Sequence, residues 1–163
     1  MTVIDLIKRE HDEMADLFDH LSVLARDNRR NEEAARIATR LVAVVRIHAH
    51  AEEHVVYEAL RTMGSQLKTF ALAGPHQHEV LDTTLDKLVV RRPGDEEYSV
   101  IVRVARDLFE MHARDEEEGE VVPLMLDVFS TEDLTSLADD MVAAEARIRP
   151  HILRLVGMPS RAA

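Results

Sequence analysis

The sequence predicts an all-α protein, and three observations carry that expectation. Ala, Leu, Val, Glu and Arg dominate, aromatic residues make up only 4%, and Gly and Pro number five each, which is the usage of helices rather than strands. Apolar residues return every three or four positions over long stretches, as one face of a helix requires. Short polar or Gly/Pro clusters at 27–31, 63–65 and 91–95 separate those stretches.

With 163 residues, 46% of them hydrophobic, the chain has the length of one domain and enough apolar material for a proper core. The formal charge is −11, from 20 basic and 31 acidic residues, and the basic residues are scattered. No run of them tracks a phosphate backbone, so nucleic acid is not an expected partner. The absence of cysteine excludes disulfides and thiolate ligands, so any metal must take nitrogen and oxygen donors. The first residues lack a basic region followed by an apolar run, and no segment approaches the ~20 apolar residues of a membrane span. A soluble, cytoplasmic protein with no membrane partner is expected.

The first helix is expected at residues 3–25, opened by Thr2 and Asp5 in a capping-box arrangement. Its apolar stripe of Ile4, Ile7, Met14, Phe18 and Leu21 leaves one place to His11, which therefore points at the core. His20 lies off that stripe and is expected in solvent. The second helix, with Asn31 as N-cap, is expected to run to about residue 62. Its stripe reads Ile37, Leu41, Val44, Val45, His48, Glu52, Val55 and Ala59, so His48 and Glu52 sit one turn apart on the inward face. Burying a carboxylate without a partner costs several kcal/mol, so Glu52 must be paired, protonated or bound to a metal. Taken alone, such a pair reads as a surface pair or a satisfied core hydrogen bond. His50 and His54 fall on other faces, and His50 stays as an alternative ligand.

Residues 67–73 are expected as a turn of helix within a connection, and Gly74-Pro75 as the start of the third helix. His76 and His78 cannot share a face. Leu81, Leu85 and Leu88 follow His78 at the offsets by which Met14, Phe18 and Leu21 follow His11, so His78 is assigned inward and His76 to the periphery. Asp95 is the expected N-cap of the fourth helix, where Ile101, Ala105, Leu108 and Phe109 lead to His112 at the next place on the stripe. Most of the acidic run at 115–120 reads as a solvated face. Glu116, however, continues the stripe of His112, whereas Glu117 belongs to that of Val121, Leu124, Met125 and Val128. A one-residue insertion of the π type would reconcile the two registers, and both glutamates remain candidates. Ser130 and Thr131 can cap a fifth helix over 132–149, with Leu134, Leu137, Met141 and Val142 on one face and no inward polar group. It is expected to pack on the domain or form an oligomer contact, to end or kink at Pro150, and to lead into a loose tail beyond Gly157.

Four helices thus each place one histidine at an otherwise apolar register, and two of them add a glutamate about one turn later. Independent core histidines would not repeat so regularly. In an up-down four-helix bundle, here with an additional C-terminal helix, facing side chains converge near mid-height, where bundles build di-metal carboxylate sites. Imidazole and carboxylate together suit iron, manganese or zinc.

These residues resemble the hemerythrin-like, or HHE cation-binding, family. The likeness lies in His11 followed by Asp12-Glu13-Met14, His48 with Glu52-Glu53 and then Val55-Val56-Tyr57, His78, and His112 with Glu116-Glu117 and Val121-Val122-Pro123. It covers residues 1–128, leaving 129–163 as a C-terminal helix and tail packed on the same domain. The resemblance implies a bundle around a non-haem di-iron centre, two iron ions bridged by oxo and carboxylate groups. It implies ligand roles for His11, His48, Glu52, His78, His112 and Glu116 or Glu117. Oxygen-carrying members have another histidine one turn before the third-helix ligand, and this sequence has Gly74 there. A centre poorer in nitrogen or with an open position suits redox turnover better than reversible storage, and Tyr57 is a candidate to support the ligands or to be one. The expected function is catalase-like decomposition of hydrogen peroxide by a monomer or homodimer, with reversible binding of O2 or nitric oxide as the alternative.

Overall fold

A computed structural model describes residues 1–27 and 29–158. Helix α1 (Val3–Leu24) opens on the capping box read from the sequence, with Thr2 Oγ1 accepting from the Asp5 amide and Asp5 Oδ2 accepting from the Thr2 amide at 2.8 Å. Helix α2 (Asn31–Leu60) departs from expectation at its start. Arg30 holds the N-cap place without a side-chain cap, and Asn31 is the first helical residue. Arg30 instead forks onto Glu33 in the first turn, at 2.7–2.8 Å. Asn28, part of the expected turn, lies outside the described residues.

Helix α3 (Ser65–Val90) corrects the expected start of the third helix at Gly74-Pro75, because one helix runs through both residues. Leu67, Ala71, Gly74, His78, Leu81, Leu85 and Leu88 form one buried stripe at three- and four-residue spacing. Burial of that stripe offsets the backbone hydrogen bond lost at Pro75. Gly74 also eases the proline, since the clash that bars a helical residue before proline falls partly on its Cβ.

Helix α4 (Glu96–Phe109) follows Asp95, which occupies the expected N-cap place but makes no capping bond through its side chain. It continues into a π-helical stretch, Glu110–Val121, and then into α5 (Val122–Val128). The register slip between His112 and Val121 is therefore spread over an extended π segment rather than one inserted residue. A π turn joins residue i to i+5, so it carries Glu117 onto the side of His112. Helix α6 (Thr131–Leu155) starts on a Ser130/Asp133 capping box and runs past Pro150 without ending there. Its buried Leu134, Ala138, Met141, Ala144 and Ile152 keep one stripe across the proline. The expectation that this helix has no inward polar group is corrected by Glu145, whose side chain is only 12% exposed. The tail expected to be loose lies, from residue 159 on, outside the described residues.

Among the described residues there is no strand, and no helix is long and apolar enough to cross a membrane. Helix α1 packs on α2, α2 on α3, α3 on α4, and α4 back on α1, which closes a four-helix bundle. Helix α6 lies outside this ring against α2 and α1, where Ile152 meets Ala43 and Ile47.

The apolar core is divided in two. One cluster holds Phe18, Leu41, Leu85, Tyr98 and Phe109, the other Ile7, Tyr57, Leu60, Leu67 and Met125. Between them each rod of the bundle carries one buried histidine: His11, His48, His78 and His112. Each fully buried Leu or Ile contributes about 1.5–3 kcal/mol, so the two clusters can carry the cost of a polar layer between them.

Candidate metal centre

The polar layer contains His11, His48, His78, His112, Glu52 and Glu117, each at most 6% exposed. They fall into two trios: His11, His48 and Glu117, and Glu52, His78 and His112. In each trio the potential ligand atoms lie within 4.8 Å of one another. Of the two glutamates left open by the sequence, Glu117 enters this layer. Glu116 stays outside it and accepts a hydrogen bond from Gln77 Nε2 at 2.6 Å. His50 and His54 belong to neither trio and lie against each other with tilted rings, centroids 4.1 Å apart, and His76 is exposed.

The histidines are oriented by a closed ring of hydrogen bonds that passes from helix to helix. Glu10 of α1 holds His48 Nδ1 on α2 at 2.8 Å, and Glu53 of α2 holds His78 Nδ1 on α3 at 2.9 Å. Gln77 of α3 holds His112 Nδ1 in the π segment at 2.8 Å, and Glu118 of the π segment holds His11 Nδ1 on α1 at 2.8 Å. With Nδ1 fixed outward, every Nε2 is turned to the middle, the orientation in which an outer partner raises an imidazole's basicity toward a metal. Sequence reasoning missed Glu10, Glu53, Gln77 and Glu118 because they lie off the apolar stripes. A signal was present all the same: each is the immediate chain neighbour of a buried site residue, so it leaves its own helix toward the next one.

In the middle, His11 Nε2 is 3.4 Å from Glu117 Oε2, and His48 Nε2 is 3.6 Å from Glu52 Oε2. His78 Nε2 lies 3.4 Å from Glu52 Oε2 and 3.0 Å from His112 Nε2. The Tyr57 hydroxyl donates to Glu52 Oε2 at 2.9 Å and lies 3.3 Å from His112 Nε2. A Cβ at Gly74 would collide with the Tyr57 ring, meeting Cζ at 2.6 Å and the hydroxyl at 2.8 Å. The place of the absent histidine is thus filled by a tyrosine from α2.

Burial and charge sort the protons. Burial pulls the His78 imidazole down, but Glu52 and Glu53 prevail and hold it up at about 9. Burial, with the His78 charge next to it, presses His112 down to about 3. His78 therefore donates and His112 accepts across their 3.0 Å contact. Burial lowers His11 and His48, which stay neutral. The two carboxyls diverge: although burial opposes it, the charged His78 holds Glu52 well below the carboxylate range, while burial and the Glu52 charge push Glu117 well above it. Further out, burial and Glu10 push Glu145 up to about 7.

Whether these residues suit a metal is answered by atoms without a partner. His48 Nε2, Glu52 Oε1 and both oxygens of Glu117 are buried and make no hydrogen bond. An unsatisfied buried polar group costs about 1–3 kcal/mol. Four of them converging in one layer, all nitrogen or oxygen and all of ligand type, fit divalent cations.

A family model for the hemerythrin HHE cation binding domain matches residues 2–125. The chain belongs to the hemerythrin HHE cation-binding family. The matched segment contains the whole polar layer of this hemerythrin-like chain and ends before α6 begins. No curated protein and no solved structure matches the hemerythrin-like chain.

Proposed function

We propose that this hemerythrin-like protein holds two iron ions, one by His11, His48 and Glu117 and one by Glu52, His78 and His112, and that it decomposes hydrogen peroxide. The observation that carries the metal reading is the ring of Nδ1 hydrogen bonds, which commits four Nε2 atoms to a layer that also holds the carboxyl groups of Glu52 and Glu117. When bound, iron would supply Lewis acidity and a store of electrons.

The remaining work falls to the chain. Converting two peroxides to two waters and one dioxygen moves two electrons and two protons from one peroxide to the other. Protons can be held at two buried places, the Glu117 carboxyl and the Tyr57 hydroxyl. Burial and the Glu52 carboxylate raise the Tyr57 hydroxyl well above its ordinary value, so it remains a donor beside Glu52 Oε2. Phe70, stacked parallel on His112 at 5.9 Å, and Phe109, edge-on to His11 at 5.9 Å, keep bulk water out. Tyr57 over Gly74 favours turnover, because an oxygen donor replaces what would be a further imidazole.

The experiment is oxygen evolution from peroxide by iron-loaded protein, followed with its absorption spectrum. Steady oxygen evolution is expected, slowed at least tenfold in Tyr57→Phe if the hydroxyl supplies a proton in the slow step. The deep burial of the layer also suits a second reading, reversible capture of O2 or nitric oxide. A stable adduct removed by deoxygenation, with negligible peroxide consumption, would favour that reading over the enzyme.

A further inference from the structure

We infer that the groove between α3 and the π segment is the way into the polar layer for a small neutral ligand, and that Phe70 is its gate. This rests on the reading of the layer as the place where peroxide, O2 or nitric oxide reacts. The groove has a volume of about 490 Å³, and its lining includes Phe70, Ala73, Leu124, Glu116 and Glu120. Phe70 is where groove and layer meet. Half-buried, it lies parallel to the His112 ring at 5.9 Å and meets the Tyr57 ring edge-on at 5.5 Å, and both of those residues are buried behind it.

Three cavities border the layer, and they end differently. The one of about 90 Å³ beside α6 ends on His48, whose Nδ1 is held by Glu10. The one of about 380 Å³ between α2 and α3 ends on His78, whose Nδ1 is held by Glu53. Entry by either must part an imidazole from the carboxylate that orients it. The Phe70 ring has no hydrogen bond to lose, so a change of rotamer can swing it aside. The turn that carries it is also less tied, because Pro75 cannot donate to the Ala71 carbonyl one turn back. Behind the ring lie the Tyr57 hydroxyl and His112 Nε2, 3.3 Å apart. Among the described residues that line the groove are two glutamates and no basic residue. Such a mouth repels anions and leaves neutral peroxide, O2 and nitric oxide free to enter.

The test uses the metal-free full chain with Tyr98→Phe, which leaves Tyr57 as the one fluorophore because the chain has two tyrosines and no tryptophan. The Tyr98 hydroxyl has no partner, so that change removes no hydrogen bond. Quenching of Tyr57 by neutral acrylamide should be weak, rise severalfold in Phe70→Ala, and fall back when Ala73→Phe is added to plug the groove. Phe70→Leu, which keeps more of the volume should the alanine variant fail to fold, should also raise it. Iodide should stay excluded in Phe70→Ala, and be admitted when Glu120→Lys is added but not when Glu97→Lys is added at the far end of the same rod. In iron-loaded protein, nitric oxide should bind faster in Phe70→Ala and more slowly in Ala73→Phe than in the wild type. Acrylamide quenching that Phe70 variants leave unchanged, or that Ala49→Phe in the cavity at His78 blocks and Ala73→Phe does not, would overturn the inference. Iodide entering Phe70→Ala as readily as acrylamide would overturn the preference for neutral ligands. Quenching that still depends on Phe70 and Ala73, in a protein that takes up iron but neither consumes peroxide nor binds nitric oxide, would sink the functional reading and leave the entry standing.

Discussion

The two trios are made of the same residue types, yet they meet the cost of burial in opposite ways. Glu52, His78 and His112 are joined by protons, with His78 charged between Glu52 and Glu53, His112 accepting from it, and Tyr57 donating to Glu52. His11, His48 and Glu117 hold two neutral imidazoles and a protonated carboxyl, and His48 Nε2 and both Glu117 oxygens have no partner. A buried donor set can thus be satisfied internally by protons or left to be satisfied by an ion. A cation held by His11, His48 and Glu117 would displace the Glu117 proton and relieve unmet demand, while one held by Glu52, His78 and His112 must displace the His78 proton that already satisfies its neighbours.

The largest expected effect breaks this asymmetry in the metal-free protein. Removing Glu52 strands the His78 charge, so Glu52→Ala should cost roughly 3–5 kcal/mol, while Glu117→Gln, which mimics a carboxyl already protonated, should stay within about 1 kcal/mol. Urea denaturation of both variants measures it. Equal losses would mean that the trios are satisfied alike.

Next in size is Gly74→Ala, which sharpens the role of Tyr57. The added methyl meets the tyrosine ring at Cζ and the hydroxyl, and overpacking of this kind costs about 1–3 kcal/mol. Adding Tyr57→Ala should recover stability relative to the sum of the single changes. Plain additivity in a double-mutant cycle would show that the ring does not occupy that place.

Smaller shifts should appear with pH in the metal-free protein. His112 titrates at about 3 when folded against an ordinary 6.5, so the unfolded chain takes up that proton first and stability falls as pH drops from 6.5 toward 3. His78 titrates at about 9 when folded, so its contribution is complete below 6.5 and is lost as pH rises through 9. Urea midpoints across this range should show a shallower acid slope in His112→Gln, with His11 and His48 supplying the remainder, and a shallower alkaline slope in His78→Gln. Unchanged slopes would place the proton elsewhere in the layer.

How much of this could be read in the sequence differs along the chain. His11, His48 and His78 were legible because each interrupts an apolar stripe of regular spacing, and the slip between His112 and Val121 exposed the π segment without its extent. The third helix was misread because Gly74-Pro75 is a strong local stop, whereas burial of Leu67, Ala71 and Gly74 against the bundle overrides it. Glu10, Glu53, Gln77 and Glu118 were out of reach of stripe analysis, since their roles arise between helices rather than along one. Glu145 was missed for the same reason: only the approach of α6 to α1 turns it inward.

The central claim, that the layer is a two-metal site, is tested most directly by elemental analysis of protein from iron-replete expression, with His78→Ala and His76→Ala alongside. The account predicts about two irons per chain in the wild type and in His76→Ala, and a loss of iron in His78→Ala. One zinc per chain, or no metal in the wild type, would contradict it.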